Sequence, residues 1–442
     1  MAEWMIYGVS GYTGRLCAEE AVSRGMRPGW VSASRFRRAR LSCCPAWCVT
    51  GNGRAAARGL FSELLSVAGF DMYGLIEKAL RERGSDLRVA VVGTGWFGSR
   101  LVAELERVAG VRPVAAVDIL PERAVQSFLG AGCAAGEIER VATGSALAAA
   151  EARGRRVCLD DIGMLGELGA LDAIYECTGD LEGGAEAAVL AAEMGLPFVT
   201  VNSELDSTLG RVLAERAARR GTVYTNSAGD QPGCLARMMR EAVAFGFEPR
   251  VAGNCKGFID PHQDPVGVRP FVLPGHDLNK VCAFADGTKQ AMELAVVGNA
   301  FGLRPAVRGM HGPRTTKPEL VATFDRLVGL DTLPGGIVDY VLGIDGVDQG
   351  AGLFVIARRD SPGFSQDMQY LKKGAGPHYL FFRDHHLCHM EALSSLVEAA
   401  CFGVATLRPA GWECEVCAVA KRGLRARRRL AGLGGCGLSG VL

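Results

Sequence analysis

The chain contains no run of about 18 consecutive apolar residues, so no part of it reads as a membrane-spanning helix. It carries almost no net charge, formally +1, so no global field would draw it to nucleic acid or to a membrane surface. The N-terminal stretch lacks an apolar core followed by a small-residue cleavage site, so no secretory signal is expected. Its basic run from Ser34 to Ser42 follows Glu3, Glu19 and Glu20, whereas transit peptides are poor in acids. No internal repeat with a period of about 20–50 residues is visible.

Two close cysteine pairs near each other in the sequence are lacking too, although cysteine itself is not scarce. There are 15, an odd number, and most stand singly in apolar runs, as Cys158, Cys177 and Cys282 do. Such thiols are those of a reducing compartment, which points to the cytoplasm. A zinc site wants two pairs with short loops between them. The groups Cys43, Cys44, Cys48 and Cys414, Cys417 lie at opposite ends of the chain and read as unpaired thiols. With 48% hydrophobic and 22% charged residues, the balance is that of a soluble globular protein. The 442 residues suffice for two domains or three.

From Leu87 to about Gly233, continuous apolar runs alternate with amphipathic stretches. "LRVAVVG", "VRPVAAVDI", "RRVCL", "AIYECTG", "PFVTVNS" and "TVYTN" read as strands. The segments between them, such as "FGSRLVAELERVAG" and "PERAVQSFLGAG", read as helices. That alternation predicts an α/β fold with a doubly wound parallel sheet covered on both faces. Beyond it, "GIVDYVLG" and "GLFVIARR" predict an antiparallel sheet, with "GTKQAMELAVVGNAFGL" as its long helix. The expected division is an irregular N-terminal segment (1–70), a dinucleotide-binding domain (85–235), a second α+β domain (236–408) and a tail (409–442). The tail gathers Lys421, Arg422, Arg425, Arg427, Arg428 and Arg429. No aromatic residues interleave them for base stacking, so a solvated tail is expected.

Gly93, Gly95 and Gly98 follow a strand and open a helix, with the spacing G-x-G-x-x-G. The first permits the tight turn, the second the approach of a pyrophosphate, and the third close packing of helix on strand. Free N–H groups and the positive end of the helix then meet the phosphates. Asp118 ends the next strand, where a carboxylate bonds ribose hydroxyls. The expected cofactor is therefore NAD(P), held by Gly93, Gly95, Trp96, Phe97, Gly98 and Asp118, with Thr178 and Gly179 after a later strand. Asp118 favours NAD by repelling a 2′-phosphate, while Arg123 could offset that repulsion, so the choice stays open. Gly8, Gly11 and Gly14 repeat the pattern near the N-terminus, where it resembles the start of saccharopine-dehydrogenase-like reductases. There the pattern dissolves into "GWVSASRFRRARLSCCPAW", so one cofactor site and one fragment are expected.

Further segments carry a resemblance: "NSAGDQPG", "GNCKGFIDP", "FADGTKQAMELAVVGNAFGL", "RGMHGP", "GIVDYVLG" and "GAGPHYLFFRDHHLCHME". With the glycine fingerprint, they resemble the DRL-like oxidoreductases over about Met72 to Arg408. That family is related to homoserine dehydrogenase and named for a 1-deoxy-D-xylulose 5-phosphate reductoisomerase-like enzyme. The resemblance implies an NAD(P)-dependent oxidoreductase acting on a small polar carbonyl or hydroxy compound, with phosphate an allowed substituent. It also implies a C-terminal SAF domain, of which "CAVAKRGLRARRRLAGLGG" looks like an incomplete opening.

Candidate catalytic residues are Lys256, Asp260, Lys289 and Glu293. Lys289 and Glu293 are four apart and share one face of an otherwise apolar helix. Charges there are costly unless paired and useful, although a structural ion pair competes with that reading. Resemblance to homoserine dehydrogenases implies a lysine and a carboxylate beside the nicotinamide, and leaves Lys256 and Lys289 both open. Ser203 stands where those enzymes have a lysine, which argues against homoserine as substrate. Asp230, His311, Lys372, Lys373 and His378 are candidate substrate ligands; the last three flank a glycine turn suited to phosphate or carboxylate. His385, His386 and His389 are read as structural, and no metal is expected. The partners expected are a small-molecule substrate and a second copy of the chain. The competing reading is a cofactor-binding sensor that has lost its chemistry.

Overall fold

The computed structural model describes residues 4–5, 28–29, 72–273, 276–343, 352–423, 432 and 434–442. Gly8, Gly11, Gly14, the basic run Ser34 to Ser42, Cys43, Cys44, Cys48 and Arg425, Arg427, Arg428 and Arg429 lie outside them. Among the described residues no helix is long and apolar enough to cross a membrane.

The first domain is the predicted parallel sheet. Its strands are β1 (Leu87–Val92), β2 (Val111–Val117), β3 (Ile138–Arg140), β4 (Arg156–Leu159), β5 (Ala173–Glu176), β6 (Phe198–Thr200) and β7 (Tyr224–Asn226). They lie in the order β3-β4-β2-β1-β5-β6-β7, and every pairing is parallel. Parallel pairing demands helical crossovers, and the helices then bury both faces. Hence Ala90 and Val92 enter one core, with Phe198 and Leu205, while Val89 and Val91 enter the other, with Leu101 and Phe128. The direction of winding reverses between β1 and β5, and the carboxyl ends of these two strands border a cleft.

Helix α1 (Met72–Arg83) packs against this sheet, and so does α12 (Ala392–Phe402), which comes from far along the chain. Leu396 and Val397 share a core with Ile76, Leu80 and Tyr175. The segment 392–402, expected in the second domain, is therefore built into the first. Helix α7 (Gln231–Ala244) straddles the expected boundary at 235/236 and packs wholly with the second domain: Leu235, Met239 and Ala242 lie in the second core.

The second sheet is mixed, not antiparallel as expected. Its strands are β8 (Glu248–Lys256), β9 (Arg314–Thr315), β10 (Ile337–Gly343), β11 (Leu353–Arg358) and β12 (His378–Arg383), in the order β9-β10-β8-β11-β12. β10 runs parallel to β8, whereas β11 and β12 are antiparallel. The physical reason lies in the long connection from β8 to β10, which contains α8 (Leu278–Ala285) and α9 (Thr288–Phe301) and permits a crossover. One face of the sheet packs on α7 and α9 through Ala252, Val338 and Val355. The other packs on α10 (Leu320–Val328) through Val251, Ile337 and Phe354.

The end of the chain forms a hairpin, β13 (Cys417–Ala420) with β14 (Leu438–Val441). Cys414 and Leu442 are buried in the second core. Lys421, expected on a solvated tail, is buried instead. Its ammonium lies 2.6 Å from Asp286 Oδ2 and donates to the carbonyls of Gln263 (2.6 Å) and Gly435 (2.9 Å). A lysine stem can reach inward wherever its three N–H donors all find acceptors, and here they do.

Candidate active site

The glycine turn shows three distinct demands. Gly93 has φ 86°, and a methyl there would come within 2.6 Å of Thr178 N. A methyl at Gly98 would overlap the Gly93 carbonyl oxygen. Both glycines are required by the chain's own packing. Gly95, the N-cap of α2 (Trp96–Glu106), is different: a methyl there would meet nothing within 4 Å, and no side chain caps the helix. The first-turn N–H groups and the positive end of the helix thus face open space, the arrangement that receives a pyrophosphate. Asp118 stands beside it. Its Oδ2 accepts from Thr94 N (2.9 Å) and Oγ1 (2.9 Å), and its Oδ1 accepts from Leu120 N (3.0 Å). A carboxylate offers about four acceptor positions, so one remains for a ribose hydroxyl.

Across the cleft, Thr178 and Gly179 follow β5. Buried Glu176 fixes them by accepting from Thr178 N (2.7 Å) and Thr178 Oγ1 (2.5 Å). Burial pushes the Glu176 carboxyl up, and these hydrogen bonds oppose the rise. Lys280, at the start of α8, reaches over to the Thr178 carbonyl at 3.1 Å. Trp96 is partly exposed at the rim, with the His276 ring edge-on at 5.5 Å and the Arg100 guanidinium 4.5 Å above its own ring. Phe97 turns inward against the first core and meets His389 at 6.0 Å. Only its backbone remains available to a cofactor, because its ring is taken up in packing.

At the same end of the first sheet, four elements bring charged groups together. α6 (Ser203–Arg219) supplies Glu204, the start of α7 supplies Asp230 and Gln231, β8 supplies Asn254 and Lys256, and α9 supplies Lys289, Gln290 and Glu293. The i,i+4 pairing expected within α9 is not the one observed. Lys289 Nζ pairs with Glu204 Oε2 at 3.1 Å, while Glu293 Oε2 lies 3.7 Å from Lys256 Nζ. The reason is that α9 packs against α6, which brings Glu204 to Lys289, and is tied to β8 through the Gln290–Asn254 hydrogen bond, which brings Lys256 to Glu293. Ser203 Oγ donates to Asp230 Oδ2 at 3.2 Å.

These pairs differ electrostatically. Burial opposes the charge on Lys289, but Glu204, Asp230 and Glu293 more than offset it and raise its pKa. Burial pushes Glu204 up, yet the Lys289 ammonium reverses this and holds the carboxyl below its ordinary range. Glu293 is only 2% exposed, and among the described residues its Oε2 has no hydrogen-bond donor. Burial raises it to about 7, with Lys256 and Lys289 only partly countering. A carboxyl poised near neutrality can give or take a proton, whereas Lys289 is locked in its charged form.

The structure does not gather all the other candidates here. Asp260 accepts from His262 N at 2.9 Å, and its own N–H bonds the Ala285 carbonyl, so its recorded bonds tie down its own loop. His311 is held by Asp339, Nδ1 to Oδ2 at 2.9 Å. Asp339 lies between Val338, which faces the helices, and the opposite-facing Val341, so strand alternation turns it away from Lys256. Lys372 and Lys373 are exposed after α11 (Pro362–Tyr370), ahead of His378, whose burial lowers its pKa. His378 pairs with Arg358, and Arg358 pairs with Glu248. Glu248 is eight residues from Lys256 along β8, about 26 Å at ~3.3 Å per residue. The glycine turn and its lysines thus lie toward the opposite end of the sheet from Lys256 and Glu293. Among the described residues no three His, Cys, Asp or Glu side chains form a metal-holding group.

Sequence reasoning missed Glu204, Gln231, Asn254, Gln290, Lys280 and Glu176. Glu204 carried a signal, since it follows directly on the carboxyl end of a sheet strand. Gln290 carried another, as an amide between two charges on a helix buried almost all round.

Residues 229–392 match the family model described as oxidoreductase DRL, catalytic domain. The matched segment runs from the residue before Asp230 to the first residue of α12 and contains Lys256, Lys289, Gln290 and Glu293. No curated protein matches the sequence. Among solved structures, a dehydrogenase from Chromobacterium violaceum is 13% identical, covering 73% of this chain and 90% of that one, with a TM-score of 0.39. A myo-inositol dehydrogenase from Corynebacterium glutamicum is 12% identical, covering 72% and 97%, with a TM-score of 0.35. A myo-inositol dehydrogenase from Lactobacillus casei, in complex with NAD(H) and myo-inositol, is 17% identical, covering 41% and 49%, with a TM-score of 0.30.

Proposed function

We propose that the chain is an NAD(P)-dependent oxidoreductase that interconverts a hydroxyl and a carbonyl on a small polar substrate. The observation that carries this is the contrast within the glycine turn. Gly93 and Gly98 are glycines because the protein fills their surroundings, whereas the space over Gly95, at the start of α2, is open and leaves room for a ligand. The match of residues 229–392 to an oxidoreductase catalytic domain supports it independently.

The bound nicotinamide would supply hydride transfer, as the cofactor does in all such enzymes. Gly95, the first turn of α2 and Asp118 would hold its pyrophosphate and ribose, with Thr178 and Gly179 across the cleft. In the oxidative direction Glu293 Oε2 takes the proton of the substrate hydroxyl as the C–H electron pair departs as hydride. The Lys256 ammonium, 3.7 Å from that oxygen, stabilises negative charge on the carboxylate and on the developing alkoxide. Lys289 keeps its proton, tied to Glu204, and acts as a fixed positive charge. Between the two lysines left open by sequence, this reading assigns acid–base work to the Lys256–Glu293 pair.

A homoserine substrate gains no support from Ser203, which hydrogen-bonds Asp230. A phosphorylated substrate loses the support of Lys372 and Lys373, which lie far off. The deoxyxylulose phosphate reductoisomerase reading adds a skeletal rearrangement for which no separate group is identified at the cluster. The test is calorimetry with NAD and NADP, followed by a substrate screen on nicotinamide absorbance. One dinucleotide per chain and turnover of a hydroxy compound are expected. Binding without any turnover would favour the sensor, and failure to bind either dinucleotide would refute both readings.

A further inference from the structure

Lys256 does more than face Glu293. Its ammonium donates to Gln231 Oε1 at 3.2 Å. The same oxygen accepts from Asn254 Nδ2, and Asn254 Oδ1 in turn accepts from Gln290 Nε2. A lysine ammonium has three donors and no acceptor, so it fixes which end of the Gln231 amide it meets. That orientation propagates. Gln231 must present oxygen to Asn254, Asn254 must present oxygen to Gln290, and Gln290 must spend its N–H on Asn254. The ladder therefore ends in Gln290 Oε1. This oxygen belongs to a side chain only 1% exposed, and among the described residues nothing donates to it. Glu293 Oε2, three residues on and on the same helix face, is another buried acceptor without a donor among the described residues.

Two orphan acceptors on one face cost free energy until something donates to both. An anion cannot, because it brings acceptors only. An amine would meet the Lys256 and Lys289 ammoniums. We infer that Gln290 is a specificity-determining residue that accepts a hydrogen bond from a substrate hydroxyl adjacent to the reacting one, its carbonyl aimed by the Lys256–Gln231–Asn254 ladder. The substrate class is then a compound with hydroxyls on neighbouring carbons, one facing Glu293 and the other Gln290. This rests on the oxidoreductase reading of the same site and adds the number and kind of polar groups the substrate brings.

The test uses binding alone, so it does not depend on hydride transfer. The full chain, labelled with nitrogen-15 in its glutamine side chains, is titrated with cis-1,2-cyclohexanediol and with 2-methoxycyclohexanol, which lacks one donor. Gln290→Leu assigns the Gln290 amide signal. The diol is expected to shift that signal saturably and to bind about tenfold tighter than the methyl ether, the usual weight of one buried acceptor left unsatisfied. In Gln290→Leu the two probes should bind within about twofold of each other. Gln290→Met fills similar volume and serves if the leucine variant does not fold. In Lys256→Met, which releases the ladder to turn over, the preference should shrink even though Gln290 is intact. Equal binding of the probes to wild type, no saturable shift, or a preference that survives loss of Gln290 would each overturn the proposal. Failure of cofactor binding or turnover would instead count against the oxidoreductase reading and leave this measurement standing.

Discussion

Replacing Glu293 by glutamine separates a working acid from a structural ion pair. The folded protein raises this carboxyl from 4.5 to about 7, chiefly through burial. A raised acid contributes stability that is fully present below its unfolded pKa and lost as pH rises through the folded one. The window therefore runs from about pH 4.5 to 7. At ~1.4 kcal/mol per pH unit, the ionised form costs about 3 kcal/mol above pH 7. Glutamine copies the neutral acid and removes that cost. Glu293→Gln should thus be more stable than wild type, with an advantage that grows by about 2 kcal/mol from pH 5.5 to pH 8.5. Asp206 also titrates near 7, raised by burial, but it is present in both proteins and cancels in the difference. Urea unfolding of the two proteins at both pH values measures this. In the same variant, turnover should fall about 100-fold or more and lose its rise with pH near 7. A structural Lys256–Glu293 pair predicts the opposite sign, a variant less stable at pH 8.5 because Lys256 stays buried without its counter-charge. That outcome would refute the acid–base assignment.

Three other predictions address separate links. Gly98→Ala should unfold or strongly destabilise the first domain because its methyl overlaps the Gly93 carbonyl, whereas Gly95→Ala should melt like wild type yet lose dinucleotide affinity; equal effects in both assays would contradict the division of roles. Lys256→Met should keep cofactor affinity and lose turnover about 100-fold, while Lys289→Met should strand Glu204 and cost about 3 kcal/mol in unfolding experiments; the reverse pattern would exchange their roles. Lys421→Met should leave Asp286 buried without its counter-ion and lower stability by about 3 kcal/mol, with dinucleotide affinity unchanged by calorimetry.

The first domain was legible because its signals are local. Buried parallel strands read as unbroken apolar runs, and each glycine of the turn answers to a different steric demand. The return of α12 to the first domain was not legible, since sequence order carries no record that Leu396 packs beside Ile76. The direction of β10 was missed for a related reason: an apolar run looks the same in parallel and antiparallel pairing, and only the crossover through α9 decides. At the site the helix-face rule correctly placed Lys289 and Glu293 on one surface. It could not see that Glu204, 85 residues earlier, would claim the lysine.

That exchange of partners sets the chemistry, and it can be tested. Glu204 belongs to the first domain and Lys289 to a helix of the second, so their pair exists only because the domains are docked. While Glu204 holds Lys289, Glu293 has one close cation, Lys256, and that cation is shared with Gln231. Burial then outweighs compensation and the carboxyl rises. Glu204→Gln should release Lys289, which shares a helix face with Glu293 and can turn to it. It also removes a negative charge that itself raises Glu293. Both changes favour the carboxylate, so the limb of the pH–rate profile near 7 should move to lower pH by about one unit, the usual effect of an opposite charge brought within reach. Glu204→Asp should restore part of the original profile by recapturing Lys289. If the limb stays near 7 in Glu204→Gln, the pairing across the domains does not control Glu293, and its acidity must come from burial alone.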